Sequence, residues 1–155
     1  ITIAGMEDPS ASFLIRDVLV INNTIHGNGG GGQWDSGGIH LYNLNARGIV
    51  IRNNIVSGNV SFSIAVEPVT APRAIEVSID HNLIEGYRGY WKENRGTEDV
   101  LENPQFEDAA GADFHLRQDS AAIDRGSPEG APLEDLEGRP RPQGSGVDIG
   151  AFEFE

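Results

Sequence analysis

His40 and Tyr42 stand two apart in Gly38-Ile39-His40-Leu41-Tyr42, and on an extended strand that spacing turns both side chains to one face. If Ile39 and Leu41 point inward, the outer face carries an imidazole beside a phenol ring. Gly27 to Gly38 is a glycine-rich stretch leading into this strand, and it can carry Trp34 and Asp35 over the same face. Glu67 ends a matching strand, Ser63 to Glu67, and stacking of the two strands sets Ala65 and Glu67 against His40 and Tyr42. Trp34, Asp35, His40, Tyr42 and Glu67 then form one cluster. Its rings suit stacking on sugar faces, its carboxylates suit hydroxyls or a cation such as Ca2+, and His40 and Glu67 suit proton transfer. The competing account is a surface loop beside ordinary solvated side chains.

A second cluster is Tyr87-Arg88-Gly89-Tyr90-Trp91-Lys92-Glu93, which holds two of the three tyrosines and one of the two tryptophans. Aromatic rings interleaved with cations can grip an acidic sugar, with Arg88 pairing its carboxylate, Trp91 binding it and Lys92 or Arg88 acting as the base at the C5 proton of a lyase. Alternatively, Tyr90 and Trp91 only cover a junction between two parts of the fold. A lyase would also call for several acidic side chains holding calcium, and the nearest pair on one strand is Glu76 and Asp80. His26 has no identifiable partner and is expected to be solvated. A phosphate-binding loop is disfavoured, since no Gly-Lys-Ser/Thr follows the glycines and the next element is a strand.

What positions these residues is a repeat. Val18 to Asn28, Ile49 to Asn59 and Val77 to Tyr87 align with one another, and Asn23, Asn54 and Asn82 fall in one column at spacings of 31 and 28. Each repeat alternates β-branched residues with period two, turns at asparagine, adds two apolar residues and then glycine. Strands rather than helices follow. Several strands per repeat, parallel from one repeat to the next, make an all-β solenoid in which Val20, Ile51 and Ile79 stack about 4.8 Å apart. An inward asparagine at the bend can bond backbone groups and the amides above and below it, a structural role that needs no ligand.

The repeats occupy residues 1–97; from residue 98 the period is lost and Asp, Gly, Pro and Arg dominate, which reads as a C-terminal capping region (98–155) packed on the last coil. Asp124 and Asp148 in this region are expected to bond loop backbone or Arg139 and Arg141. The chain opens on the alternation Ile1-Thr2-Ile3, which reads as the middle of a strand, so N-terminal coils in the same or a separate polypeptide are expected as a partner.

Composition narrows the function classes. The 155 residues are 38% apolar, enough for one core, and acidic residues outnumber basic ones 24 to 11. The net charge of -13 repels phosphate backbones, so nucleic acid is a poor partner. No apolar run approaches the roughly 20 residues of a membrane span. Without cysteine there is no thiol catalysis and no disulfide.

The Ile-x-Asn-Asn-x-Ile-x-Gly-Asn pattern resembles the parallel β-helix repeat of the pectin-lyase-like superfamily. Asn103 to Phe106, Asp113 to Leu116, Ser120 to Gly126, Gly138 to Arg141 and Asp148 to Glu153 resemble, in order, a C-terminal module of secreted bacterial β-helix proteins. Ala121 departs from it, where proline is common. The resemblance implies a right-handed, single-stranded parallel β-helix from a secreted or cell-surface bacterial protein that binds or processes polysaccharide, with an active site partly or wholly upstream. It implies no particular reaction, because the superfamily holds lyases, hydrolases and epimerases as well as adhesins. The alternative expectation is therefore a non-enzymatic, adhesive surface protein.

Overall fold

The computed structural model describes residues 1–4, 14–29, 37–42, 46–67, 76–90 and 92–155, and among them every regular element is a strand. Nine strands come in three successive sets. The first is β1 (Thr2–Ala4), β2 (Leu19–Ile21) and β3 (Thr24–His26); the second is β4 (Ile39–Tyr42), β5 (Ile49–Arg52) and β6 (Ile55–Ser57). The third is β7 (Ile64–Val66), β8 (Val77–Asp80) and β9 (Leu83–Ile84). Each set is one rung, and strands three apart in sequence pair in parallel, giving the sheets β1-β4-β7, β2-β5-β8 and β3-β6-β9. This stacking of parallel sheets is compatible with a β-helix.

Period-two alternation in the sequence produces the register. Val20 pairs with Ile51 and Ile51 with Ile79, while Ile25 pairs with Val56 and Val56 with Ile84. These columns are buried together with Ile3, Ile39, Leu41, Ile49 and Ile64 in one core. Each isoleucine removed from water contributes about 2 kcal/mol, and a rung gains that only against its neighbours. Between the second and third sheets the chain bends at Asn22, Asn53 and His81, all with φ between 53° and 54°, a left-handed conformation asparagine tolerates well.

The inner asparagines bind the rungs to one another. Asn54 Oδ1 accepts both the backbone N–H and the side-chain N–H of Asn23 (3.0 and 2.9 Å), and Asn82 Oδ1 accepts the same two groups of Asn54. Asn54 Nδ2 in turn donates to Val20 O and Arg52 O. Asn59 receives Asn28 in the same way.

The pairing continues past residue 97. Thr97 bridges to Asp80 and Val100 to Leu83, both parallel, extending the second and third sheets by one residue each. Beyond them, β10 (Phe106–Asp108) and β11 (Asp113–Leu116) form an antiparallel pair. Leu116, Ala122 and Ile149 pack on Ile55, Leu83 and Val100, so the third sheet is covered on its outer side as well. That explains the adjacent apolar pairs Ile55-Val56 and Leu83-Ile84: one residue faces each core. The tail also reaches back beyond the last rung. Asn22 Nδ2 donates to Asp148 O and Gly150 O, Asn53 exchanges bonds with Ser127, and Thr24 Oγ1 accepts Ala151 N–H.

The tail acids hold backbone, as expected from their motifs. Asp148 accepts N–H bonds from Asp124 and Phe154 (2.8 and 2.6 Å), and Asp124 accepts one from Gly146. Burial, with the charges of Glu153 and Asp124 adding to it, pushes the Asp148 carboxyl up to about 6. Arg141 pairs with the fully buried Glu153 and donates to Gly150 O.

Candidate functional site

His40 and Tyr42 lie on the outer face of β4, because Ile39 and Leu41, both fully buried, take the inner one. Their rings are 5.8 Å apart. His40 pairs in register with Ala65 of β7, and Glu67 N–H donates to Leu41 O at 3.0 Å, so Glu67 follows β7 directly beside β4. From that diagonal position its Oε1 meets His40 Nε2 at 3.2 Å.

Lys92 arrives by a different route. After β9 the chain reverses, and residues 92–94 run antiparallel along the free edge of β7: Val66 N–H donates to Lys92 O and Asn94 N–H to Ile64 O. This pairing closes a sheet edge that would otherwise offer unpaired backbone groups. It also sets the Lys92 ammonium against Glu67 Oε2. Glu67 is 7% exposed, so its charge is tolerable only because a cation holds one oxygen and an imidazole N–H the other.

Aromatic packing fixes the histidine. Phe62, fully buried, contacts His40 (5.2 Å between centroids) and Tyr90 (5.2 Å). Gly37 and Gly38 make that approach feasible. A Cβ on Gly37 would lie 2.5 Å from Phe62 O and from its ring, and one on Gly38 would overlap Ser63 O and Val56. Glu93 organises the preceding loop by accepting N–H bonds from Ser63, Arg88 and Gly89.

Chemically, the arrangement is a histidine oriented by a carboxylate that also pairs with a lysine. When His40 donates its Nε2–H to Glu67, its lone pair lies on Nδ1, the arrangement of a general base. The three residues expected to carry chemistry thus meet around one carboxylate, although the sequence placed Lys92 in a separate cluster. Tyr42 joins them through the His40 ring. Arg88 is exposed, contributes its backbone N–H to Glu93, and makes no ion pair with the cluster among the described residues. Trp34, Asp35 and Trp91 lie outside the described residues.

Phe62, Tyr90 and Glu93 line or brace the site without having been singled out for it. The signal for Phe62 is weak: one aromatic residue between polar neighbours, set against a glycine pair a repeat earlier. The expectation of a solvated His26 is corrected. Its Nδ1 lies 2.8 Å from Ser57 Oγ and its ring packs against Phe106 and Phe114, because the tail folds over the third sheet. Among the described residues no group of three or more histidine or acidic side chains is placed to hold a metal ion, and Asp80 is engaged by Arg52, Ser78 and His81 instead. Arg52 and the hydrogen bonds to its oxygens hold the Asp80 carboxyl below the usual carboxylate range, against the opposing effect of burial, which is the largest single influence on it.

Set against protein-family models, curated proteins and solved structures, the chain matches none.

Proposed function

We propose that the chain is part of a right-handed parallel β-helix of the pectin-lyase-like kind, from a secreted or surface protein, and that it binds or processes polysaccharide at the outer face of the first sheet. The observation that carries this is the convergence of His40, Lys92 and Glu67 beside Tyr42 on the outer face of the first sheet. His40 Nδ1 takes a proton from a sugar carbon or hydroxyl, Glu67 stabilises the resulting imidazolium, and Tyr42 offers a ring edge to the sugar. Parallel stacking and the asparagine column support the architecture.

A second reading has its own support. Both oxygens of Glu67 are already engaged, as in a structural ion pair bracing the edge segment, which favours a non-enzymatic surface protein. Incubation with a panel of neutral and acidic polysaccharides separates the two. Unsaturated products or new reducing ends, lost in His40→Ala, support the enzyme; binding or inactivity unaffected by His40→Ala supports the adhesive reading.

A further inference from the structure

Along β11 the side chains alternate between two faces. Leu116 is buried in the core that the tail makes with the third sheet and Phe114 packs on His26 and Phe106, so Asp113 and His115 stand on the opposite face. There His115 meets three stretches of chain. Its Nδ1 lies 2.6 Å from Oδ1 of Asp113 on its own strand, its Nε2 lies 3.2 Å from Oε1 of Glu137, and its ring centroid is 4.2 Å from that of Phe152. Glu137 belongs to a turn in which Glu134 bridges Pro140, and Asp135 braces that turn by accepting the N–H groups of Glu137 and Arg139.

Carboxylates at both ring nitrogens constrain the protonation of His115. A neutral imidazole has one N–H and one lone pair, so it donates to one carboxylate and turns its lone pair on the other, whereas the imidazolium donates to both. The charged groups around the ring are Asp113, Glu137 and, one step further out, Arg139, whose Nη2 is 3.0 Å from Glu137 Oε2 and whose Nε is 3.2 Å from Glu155 Oε1. These three carboxylates share a single guanidinium, so a second positive charge is favoured. The hydrogen bond to Asp113 foremost, with Glu137 adding to it, raises the His115 imidazole above its ordinary 6.5, against the opposing effect of partial burial. Phe152 lays its ring beside the same charge.

We infer that His115 is a pH-sensitive latch between the β10–β11 hairpin and the turn at residues 134–140: its imidazolium bonds Asp113 and Glu137 together, and loss of the ring proton releases Glu137. Asp113 keeps the remaining N–H, because its Oδ1 also accepts the His115 backbone N–H at 3.1 Å, which holds that carboxylate beside the ring. Glu137 is then left to Arg139. A raised imidazole contributes fully below its ordinary value, and the contribution is lost as pH rises through the folded one, so the latch is closed in mildly acidic solution and open in alkaline. It is independent of His40 and of any activity there.

An NMR titration of the chain, read on the His115 ring and on the backbone amides of the turn, tests it. The ring is expected to titrate above 6.5, and the Glu137, Gly138 and Arg139 amides to shift with the same midpoint. Glu137→Gln, an exchange of like size at an exposed position, should lower the ring's midpoint by about 0.3 in pH and abolish the shared shift. His115→Gln separates the latch from Asp148, which titrates at about 6 in the same tail: amide shifts that survive in this variant belong to Asp148. Turn amides that do not follow the ring, turn shifts unchanged in His115→Gln, or a ring midpoint unchanged in Glu137→Gln overturn the latch. A ring midpoint at or below 6.5 in the parent overturns it as well.

Discussion

Asp99 stands where a fourth ladder asparagine would, its Oδ1 accepting the backbone N–H and the amide N–H of Asn82 at 2.9 and 3.3 Å. A carboxylate only accepts, so it receives from the rung before and demands no acceptor from a rung beyond. Its other oxygen accepts Gly96 N–H and the Tyr87 hydroxyl, and burial together with this charge raises the Tyr87 phenol. Asp99→Asn is expected to destabilise despite restoring the repeat's own residue. The new NH2 would face the Gly96 donor, costing about 1–2 kcal/mol. A urea midpoint equal to or above the parent's would count against the carboxylate as the ladder's terminus.

Asn54 sits mid-ladder and is fully buried. Asn54→Ala removes an acceptor for two Asn23 donors and a donor to Val20 O and Arg52 O, leaving several buried groups unpaired. A loss of about 3 kcal/mol or more is expected from denaturant unfolding. A loss below about 1 kcal/mol would mean that water replaces the ladder.

Gly38 lies against Ser63 O and Val56, and it leads directly into the strand that carries His40. Gly38→Ala must displace backbone, at a cost of about 1–3 kcal/mol. The same displacement shifts His40 away from Glu67, so the NMR signature of the imidazole N–H bonded to Glu67 should be lost or broadened. An unchanged spectrum would show that β4 does not depend on this close approach.

Asp148 gives a pH dependence of definite sign. Its folded value of about 6 lies above the ordinary 3.8 of an aspartate, so between those limits the folded chain binds the extra proton. The stability from this group is full below about 3.8 and is lost as pH rises through about 6. Asn in its place does not titrate. The stability of the parent relative to Asp148→Asn should therefore increase from pH 7 to pH 4, read as the difference between their thermal midpoints; a constant or shrinking difference would contradict the burial effect.

Much of this was legible because a repeat multiplies weak local signals. Alternation around Ile39 and Leu41 turns His40 and Tyr42 outward, and the Asn23, Asn54, Asn82 column exposes the ladder without any knowledge of contacts. Period alone also sets Glu67 beside β4. What periodicity does not encode is a change of direction. Lys92 reaches Glu67 only because the chain reverses after β9 and pairs antiparallel with β7, and no alternation in residues 86–94 announces that. Likewise, the bond from Asn22 to Asp148 spans 126 residues, and the packing of His26 against Phe106 and Phe114 depends on the tail lying along the third sheet. Tertiary packing decides such contacts.

Acid–base chemistry by His40, oriented by Glu67, on a polysaccharide is the proposed activity. Its most direct measurement is product release from the polysaccharide panel by the parent chain and by His40→Ala, with folding of the variant verified by circular dichroism. The account predicts measurable turnover by the parent and a loss of about 100-fold or more in the variant. A folded His40→Ala protein as active as its parent, or a parent inactive on every polysaccharide, would contradict it.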